Sequence, residues 1–492
     1  MNARDAQHRY TKSMFIHLLR LISICFVGLI SVPSHAISQA SLESKLQVAM
    51  KESGFKTSEV GIWVGQRTEK GAEKIFGVSD ETSMIPASLS KLITVGAVVK
   101  TLHPSFKFKT ELLSPATLKN GALGGSLYLK GSGDPSFVSE NMWVLVNNLT
   151  RTGIISIEGD LVVDDTRFDS IRIGEDRENV RNDRAYDAPL GAMSMNWNSV
   201  NVYVRPGKVG EPCEITADPV NTYIKVRNTC KTVSGSANGV NVDRTSEKSF
   251  WGDIVSVSGK IGVNSGEVVI YKNISRPDLW SGAHLLEFLK QRGIIVKGKV
   301  ITGATPKDAK VLAFSESKQL SNVIADTAKW SNNFVAEMLV KNLAAEAGTL
   351  PATMPAGLKI VQKFTQQMGL TDKAFVFTNA SGFTRDNRIT AAQLGKYLTV
   401  MQSDFTVFPE YLMALPIAGV DGTLRNRMKS GKAERWVRAK TGLLDGVVGL
   451  AGYAGETDGD ILSFACIFNG SPAKEAQARA FFDKLAAVIA QN

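Results

Sequence analysis

From Phe106 to about Gly303 the chain reads almost entirely as short β-like runs, and that block limits what the whole can fold into. Ser126–Lys130, Ile154–Val163, Val200–Val204, Tyr223–Val226, Ile254–Val257 and Val268–Tyr271 are separated by Gly, Asn, Asp and Pro, the residues of turns. One helix, Ser281–Arg292, interrupts them, and Ile294–Ile301 closes the region as a strand. A block of roughly 200 residues must bury a core of its own rather than hang as a loop. The flanks differ. Before it come a helix over Ser38–Ser53, strands at Glu59–Gly65 and Lys74–Phe76, and a helix ending near Leu102. After it come helices over Lys318–Lys329, Phe334–Ala344, Pro355–Met368 and Ala391–Met401. Three strands follow, Trp436–Thr441, Gly446–Tyr453 and Ile461–Phe468, then an amphipathic helix, Pro472–Ile489. The predicted class is α+β. Residues 37–105 and 304–492 close into one domain, and 106–303 form a β-rich insertion.

Residues 1–36 read as a signal peptide. Arg4, Arg9, Lys12 and Arg20 precede the apolar run Leu21–Val32, and Ser34-His35-Ala36 has the spacing of a signal-peptidase site, so cleavage is expected after Ala36. Ile24 before Cys25 fits a lipid-attachment site poorly. No later stretch is long and apolar enough to be a transmembrane anchor; loose membrane association stays open. Losing the leader takes the formal charge from +10 to about +7. That mild surplus suits the anionic polymers of a bacterial periplasm or cell envelope, and no basic-aromatic stripe supports nucleic-acid binding.

His8, His17 and His35 leave with the leader, His103 precedes a proline, and His284 falls in the helix of the β-rich block. A Ser-His-Asp hydrolase therefore lacks its base. With no Cys/His cluster at ligand spacing, neither a metal nor any other cofactor is expected. Cys213 and Cys230 flank a turn-rich segment and are expected to form a disulfide in an exported chain. Cys466, in an apolar strand, reads as a core thiol.

A lysine base has a candidate. Ser88 and Lys91 lie three apart, so a helix puts them on one face. Pro86 suits the first helical position, and Leu92, Ile93, Val95, Val98 and Val99 supply a buried face behind them. A neutral amine beside a hydroxyl can activate it as a nucleophile. Ser53/Lys56, Ser315/Lys318 and Ser471/Lys474 repeat the spacing without that setting; Ser53 and Ser471 stand in polar, turn-like surroundings. Two further pieces follow: Ser331-Asn332-Asn333 at a helix junction, and Lys440-Thr441-Gly442 on an edge-like strand, where Gly442 leaves room for a substrate backbone.

In this order the three pieces resemble the active-site set of penicillin-binding proteins and class A β-lactamases. The gap of about 240 residues between Lys91 and Ser331 narrows the resemblance to the type-4, class C low-molecular-mass penicillin-binding proteins, a D-alanyl-D-alanine carboxypeptidase/endopeptidase family with a large insertion at this point. Gly131-Ser132-Gly133-Asp134-Pro135, Asn196-Trp197-Asn198 and Ser381–Arg388 belong to the likeness, which covers the mature chain. The resemblance implies a penicillin-binding/β-lactamase-like transpeptidase domain, an antiparallel sheet with flanking helices. It implies peptidoglycan stem peptides as substrates and β-lactam antibiotics as inhibitors. It implies that Ser88 attacks the carbonyl between two D-alanines and that Lys91 takes its proton. Ser331 relays a proton to the leaving amine, and Asn333 holds the substrate amide and Lys91. Lys440 and Thr441 bind the terminal carboxylate beside Gly442, and the backbone N–H groups of Ser88 and Leu443 form the oxyanion hole. Arg385 and Asp134 are implied contacts to the peptide stem. Leu443 stands where the family often has Ser. A lysine with an ordinary pKa of about 10.4 must be shifted to act as a base, and burial and the charge of Lys440 push Lys91 that way. Two other readings share the fold. A class A β-lactamase needs a Glu-x-x-Leu-Asn motif, and no Leu-Asn dipeptide occurs. Tyr271-Lys272-Asn273 mimics a class C lactamase motif from within a strand of the block. A non-catalytic envelope binding protein is the third reading, with the intact motif residues against it.

Overall fold

Val447–Ala454 is buried at every position, which fits an interior strand of a sheet covered on both faces. The sheet is antiparallel, in the order Val437–Leu444, Val447–Ala454, Leu462–Asn469, Val60–Thr68, Gly71–Val78. Strands from the two ends of the chain thus share one sheet. The computed structural model describes residues 39–174, 183–455 and 461–490. The expected signal peptide, residues 1–36, lies outside the described residues.

One face of the sheet carries the helix Glu475–Ile489, whose Phe481 meets Phe55, which in turn lies 5.3 Å from Phe468. The other carries Ala391–Ser403, where Gly395 lets the indole of Trp63 lie against the helix backbone. Beyond it stands Ser90–Leu102, buried from Ser90 through Val99, so it is a core helix rather than an amphipathic one. Tyr397 ties the layers by donating to the Leu92 carbonyl.

The block builds a second core, which holds Leu127, Leu161, Val202, Val257 and Trp280. Its five-stranded sheet runs Val300–Thr302, Leu161–Asp164, Leu127–Lys130, Lys109–Ser114, Lys310–Glu316. The last of these pairs antiparallel with Lys109–Ser114. Strand pairing therefore carries the block past the expected boundary at 303. Further sheets form around Ser199–Arg205 and Asp253–Gly262. Cys213 and Cys230 form the expected disulfide, and Cys466 is buried and unbonded. Among the described residues the block holds two α-helices where the sequence predicts one. Pro277–Gln291 starts earlier than expected, with Pro277 in its first turn. Ser139–Thr150 buries Met142, Leu145, Val146 and Leu149 at helical spacing. His284 is buried among aromatic neighbours, with Nδ1 against the Trp280 carbonyl; burial pushes its pKa down to about 4, so it stays neutral.

Candidate active site

Ser88 stands in a short 3₁₀ turn, Ala87–Leu89, and the α-helix starts only at Ser90. The expected helical start at Pro86 is thus displaced: Ala87 has φ +48°, which breaks the helical path. The turn still presents Ser88 one step above Lys91. Lys91 Nζ lies 3.0 Å from Ser88 Oγ, 2.7 Å from Asn333 Oδ1 and 2.6 Å from the Ser381 carbonyl oxygen, with the lysine fully buried and Ser88 half-exposed. Two of the other Ser-x-x-Lys lysines are committed elsewhere: Lys318 to Asp326, and Lys474 to Glu59.

Ser331 has φ +57° at the junction between Leu320–Lys329 and Asn333–Glu346. Asn332 caps the second helix by accepting from the Val335 amide. The junction is pinned by Lys329, whose Nζ donates to Asp421 at 2.6 Å and to the Leu415 carbonyl. Two non-glycine residues held at positive φ, Ala87 and Ser331, thus flank the reacting centre, where backbone strain tends to collect. Lys440 reaches in from the edge strand, its Nζ 2.8 Å from Ser331 Oγ and 2.7 Å from the Thr441 carbonyl oxygen. It is fully buried. Burial pushes its pKa well below the ordinary lysine value, and the charge of Lys91 pushes it further. The structure therefore brings together all five expected catalytic side chains, as Ser88–Lys91–Asn333 and Ser331–Lys440.

Behind this pair of groups lies a layer that sequence reading does not list among its site residues. Ser381 Oγ donates to Glu337 Oε1 at 2.8 Å while its carbonyl accepts from Lys91. Asn387 donates to Ser90 Oγ and accepts from the amides of Thr378 and Asn379. Gly382 has φ +67°, and a methyl group there would sit 1.9 Å from the Ala87 carbonyl oxygen. Asn333 and Glu337 lie four apart on one helix face, and that spacing is the one signal that could have pointed to Glu337.

The binding residues divide. Thr441 Oγ1 meets Thr423 Oγ1 at 2.9 Å, and Leu443 is exposed. Gly442 also has a close neighbour within the chain. Its bare face packs on the serine turn, where a methyl group would lie 2.8 Å from the Pro86 carbonyl oxygen. Arg385 is exposed and donates to the Asp445 carbonyl, just past the end of the Lys440 strand. Asp134 is not brought to the cluster. It is buried, and one carboxylate oxygen accepts from both Ser136 N and Ser136 Oγ; burial lifts its pKa to about 6. The Tyr271-Lys272-Asn273 mimic does not assemble as a unit: Lys272 pairs with Asp183, and Asn273 is buried against Arg244 and the Asp187 carbonyl.

Residues 42–492 match the family model for D-Ala-D-Ala carboxypeptidase 3 (S13). The chain is 31% identical over 414 residues to the D-alanyl-D-alanine carboxypeptidase of Actinomadura sp. (strain R39), covering 81% of this chain and 76% of that one. It is 26% identical over 403 residues to D-alanyl-D-alanine carboxypeptidase DacB of Haemophilus influenzae, covering 80% and 82%. The crystal structure of penicillin binding protein 4 (dacB) from Haemophilus influenzae superposes with a TM-score of 0.74 at 24% identity, covering 90% of this chain and 99% of that one. The same protein complexed with a novel β-lactam gives 0.71 at 23% identity, with the same coverage.

Proposed function

This chain belongs to the D-Ala-D-Ala carboxypeptidase 3 (S13) family and is a D-Ala-D-Ala carboxypeptidase, and we propose that it cleaves peptidoglycan stem peptides through an acyl-enzyme on Ser88. The observation that carries this reading is the 3.0 Å contact between the buried Lys91 Nζ and Ser88 Oγ. A neutral Lys91 takes the hydroxyl proton as Oγ attacks the carbonyl between the two D-alanines. The Ser88 and Leu443 N–H groups face the developing oxyanion. The C–N bond breaks, the leaving D-alanine amine takes a proton relayed through Ser331, and Oγ keeps the acyl group as an ester. Water then hydrolyses the ester. Lys440, with Thr441, pairs with the terminal carboxylate, and Arg385 serves the peptide stem. Asp134 is a turn residue rather than a stem contact, because its carboxylate is committed to Ser136. The same geometry supports D,D-endopeptidase action on cross-linked stems and acylation by β-lactams, and the site of work is a bacterial cell envelope. Among the described residues no helix is long and apolar enough to cross a membrane.

Labelling with a fluorescent penicillin tests the reading. The wild type is expected to hold a long-lived adduct that Ser88→Ala, still folded, loses. Rapid turnover of the label marks a β-lactamase, no adduct marks a binding protein, and an adduct mapped to another serine overturns the assignment of Ser88.

A further inference from the structure

A cleft of about 810 Å³ opens from the catalytic junction, with Ser331 and Asn333 on one wall and the inserted block on the other. Four large aromatic residues line it, all turned to solvent: Tyr186 (52% exposed), Trp197 (42%), Tyr271 (55%) and Trp330 (58%). Elsewhere Trp63, Trp280, Tyr223 and Tyr397 are fully buried, while Trp143, Trp251 and Trp436 are exposed. Trp197 is held out by its backbone. Asn196, Trp197 and Asn198 all have φ between +51° and +54°, a run that non-glycine residues adopt only under constraint. The constraint comes from the flanking asparagines. Asn196 exchanges hydrogen bonds with Ser139, and Asn198 donates to the Pro189 carbonyl and Ser194 Oγ. An outward tryptophan that needs such pinning is a built feature. Among the described residues the remaining polar lining consists of amides, hydroxyls and two carboxylates, Glu140 and Asp218, with no lysine or arginine. A wall of aromatic faces and hydrogen-bonding groups without cations suits an uncharged polyhydroxyl ring, which stacks its C–H face on an indole or phenol and bonds through its rim.

We infer that this cleft is a saccharide subsite, and that it holds the N-acetylated amino-sugar rings to which a stem peptide is attached while the peptide terminus lies at Ser88. The inference rests on the reading of the site as one for peptidoglycan stems. Its substrate is then a glycan-borne peptide rather than a free one.

The test compares two substrates, a free pentapeptide ending in D-Ala-D-Ala and the same peptide on an N-acetylglucosaminyl-N-acetylmuramic disaccharide. The wild type is expected to favour the disaccharide form by about tenfold in kcat/KM, through KM. Trp197→Ala and Tyr271→Ala should erase that preference with the free peptide within about twofold of wild type, and Trp197→Phe should retain most of it. The disaccharide alone should also change the tryptophan fluorescence of the wild type, and less so that of Trp197→Ala. Equal cleavage of both substrates by the wild type with no fluorescence response overturns the subsite. So does equal loss on both substrates in Trp197→Ala, which would put the peptide's own side chains in the cleft. Should the wild type cleave neither substrate, the catalytic reading fails separately, and the fluorescence titration still decides the subsite.

Discussion

Lys91 and Lys440 share one pocket but not one task. Lys91 touches Ser88; Lys440 touches Ser331 and has its charged form disfavoured by burial first and by Lys91 second. An incoming carboxylate supplies the opposite charge that Lys440 lacks, so substrate binding should favour its ammonium form. Below its depressed pKa Lys440 is charged and pairs with the carboxylate; above it the pairing is lost. The KM for an acid substrate is therefore expected to rise with pH well before the ordinary lysine range, while that of an esterified analogue stays flat. Lys440→Arg should bind the acid to higher pH, whereas Lys91→Arg should abolish acylation because a guanidinium does not release its proton. Identical pH profiles for acid and ester would refute this division. Asp134 is a separate residue-scale case. Its carboxyl titrates at about 6 in the fold instead of 3.8, so the folded state holds a proton that the unfolded chain gives up. The stability it contributes is complete below pH 3.8 and lost as pH rises through 6, a difference of about 3 kcal/mol. Asp134→Asn keeps the acceptor for Ser136 without the charge. It is expected to be more stable than wild type in urea at pH 7.5 by about 1–3 kcal/mol and to lose that advantage at pH 4. An equal difference at both pH values would mean the group does not titrate in this way.

Elements were legible where their signal is local. Ser88/Lys91 and Lys440-Thr441-Gly442 are short runs, and the strands that carry the end of the chain lie within one residue of their predicted bounds, except that the first runs three residues further, to Leu444. Signals carried by distant partners were not legible. Lys310–Glu316 finds its partner strand about 200 residues earlier, and Ser381 meets Lys91 across 290 positions. Ser139–Thr150 was missed for another reason: Asn147, Asn148 and the valines lower its helical propensity, and burial of one face outweighs them. The edge strand has a neighbour that the motif alone does not reveal. Gly442 is bare so that the strand can lie against the serine turn. Gly442→Ala forces its methyl toward the Pro86 carbonyl oxygen, and that carbonyl is backbone, which cannot swing aside. Penicillin acylation is expected to fall about 100-fold, since small displacements of a reacting group cost that much, with unfolding shifted by only about 1–3 kcal/mol. Unchanged acylation in a destabilised variant would return Gly442 to the role of leaving room for substrate.

At the scale of the whole molecule, one helix joins the two cores. Asn333–Glu346 offers Asn333 to Lys91 at its first turn and, along its length, makes a series of bonds to the inserted block. Asn333 Nδ2 donates to the Tyr186 carbonyl, Asn342 Nδ2 to the Gly133 carbonyl, and Glu346 pairs with Arg167. A further bond of this series is made by Lys341, whose ammonium lies 2.6 Å from Asp169 and 3.1 Å from the Ile171 carbonyl oxygen, with its side chain 1% exposed. The block therefore does more than extend the cleft: it braces the helix that aims Asn333. Lys341→Met preserves the length and packing of the side chain and leaves Asp169 without that cation. Removing one partner of a buried pair costs about 3 kcal/mol, which should appear as a lower urea midpoint. If the brace sets the helix, penicillin acylation at a temperature where the variant is fully folded should also slow by about tenfold, because Asn333 sits two turns up the same rigid element. Asp169→Asn, which keeps a polar partner for Lys341, should fall between the variant and wild type on both measures. Loss of stability with acylation unchanged would show that the helix is held by its own core alone, and that the inserted block is a neighbour of the active site rather than part of its frame.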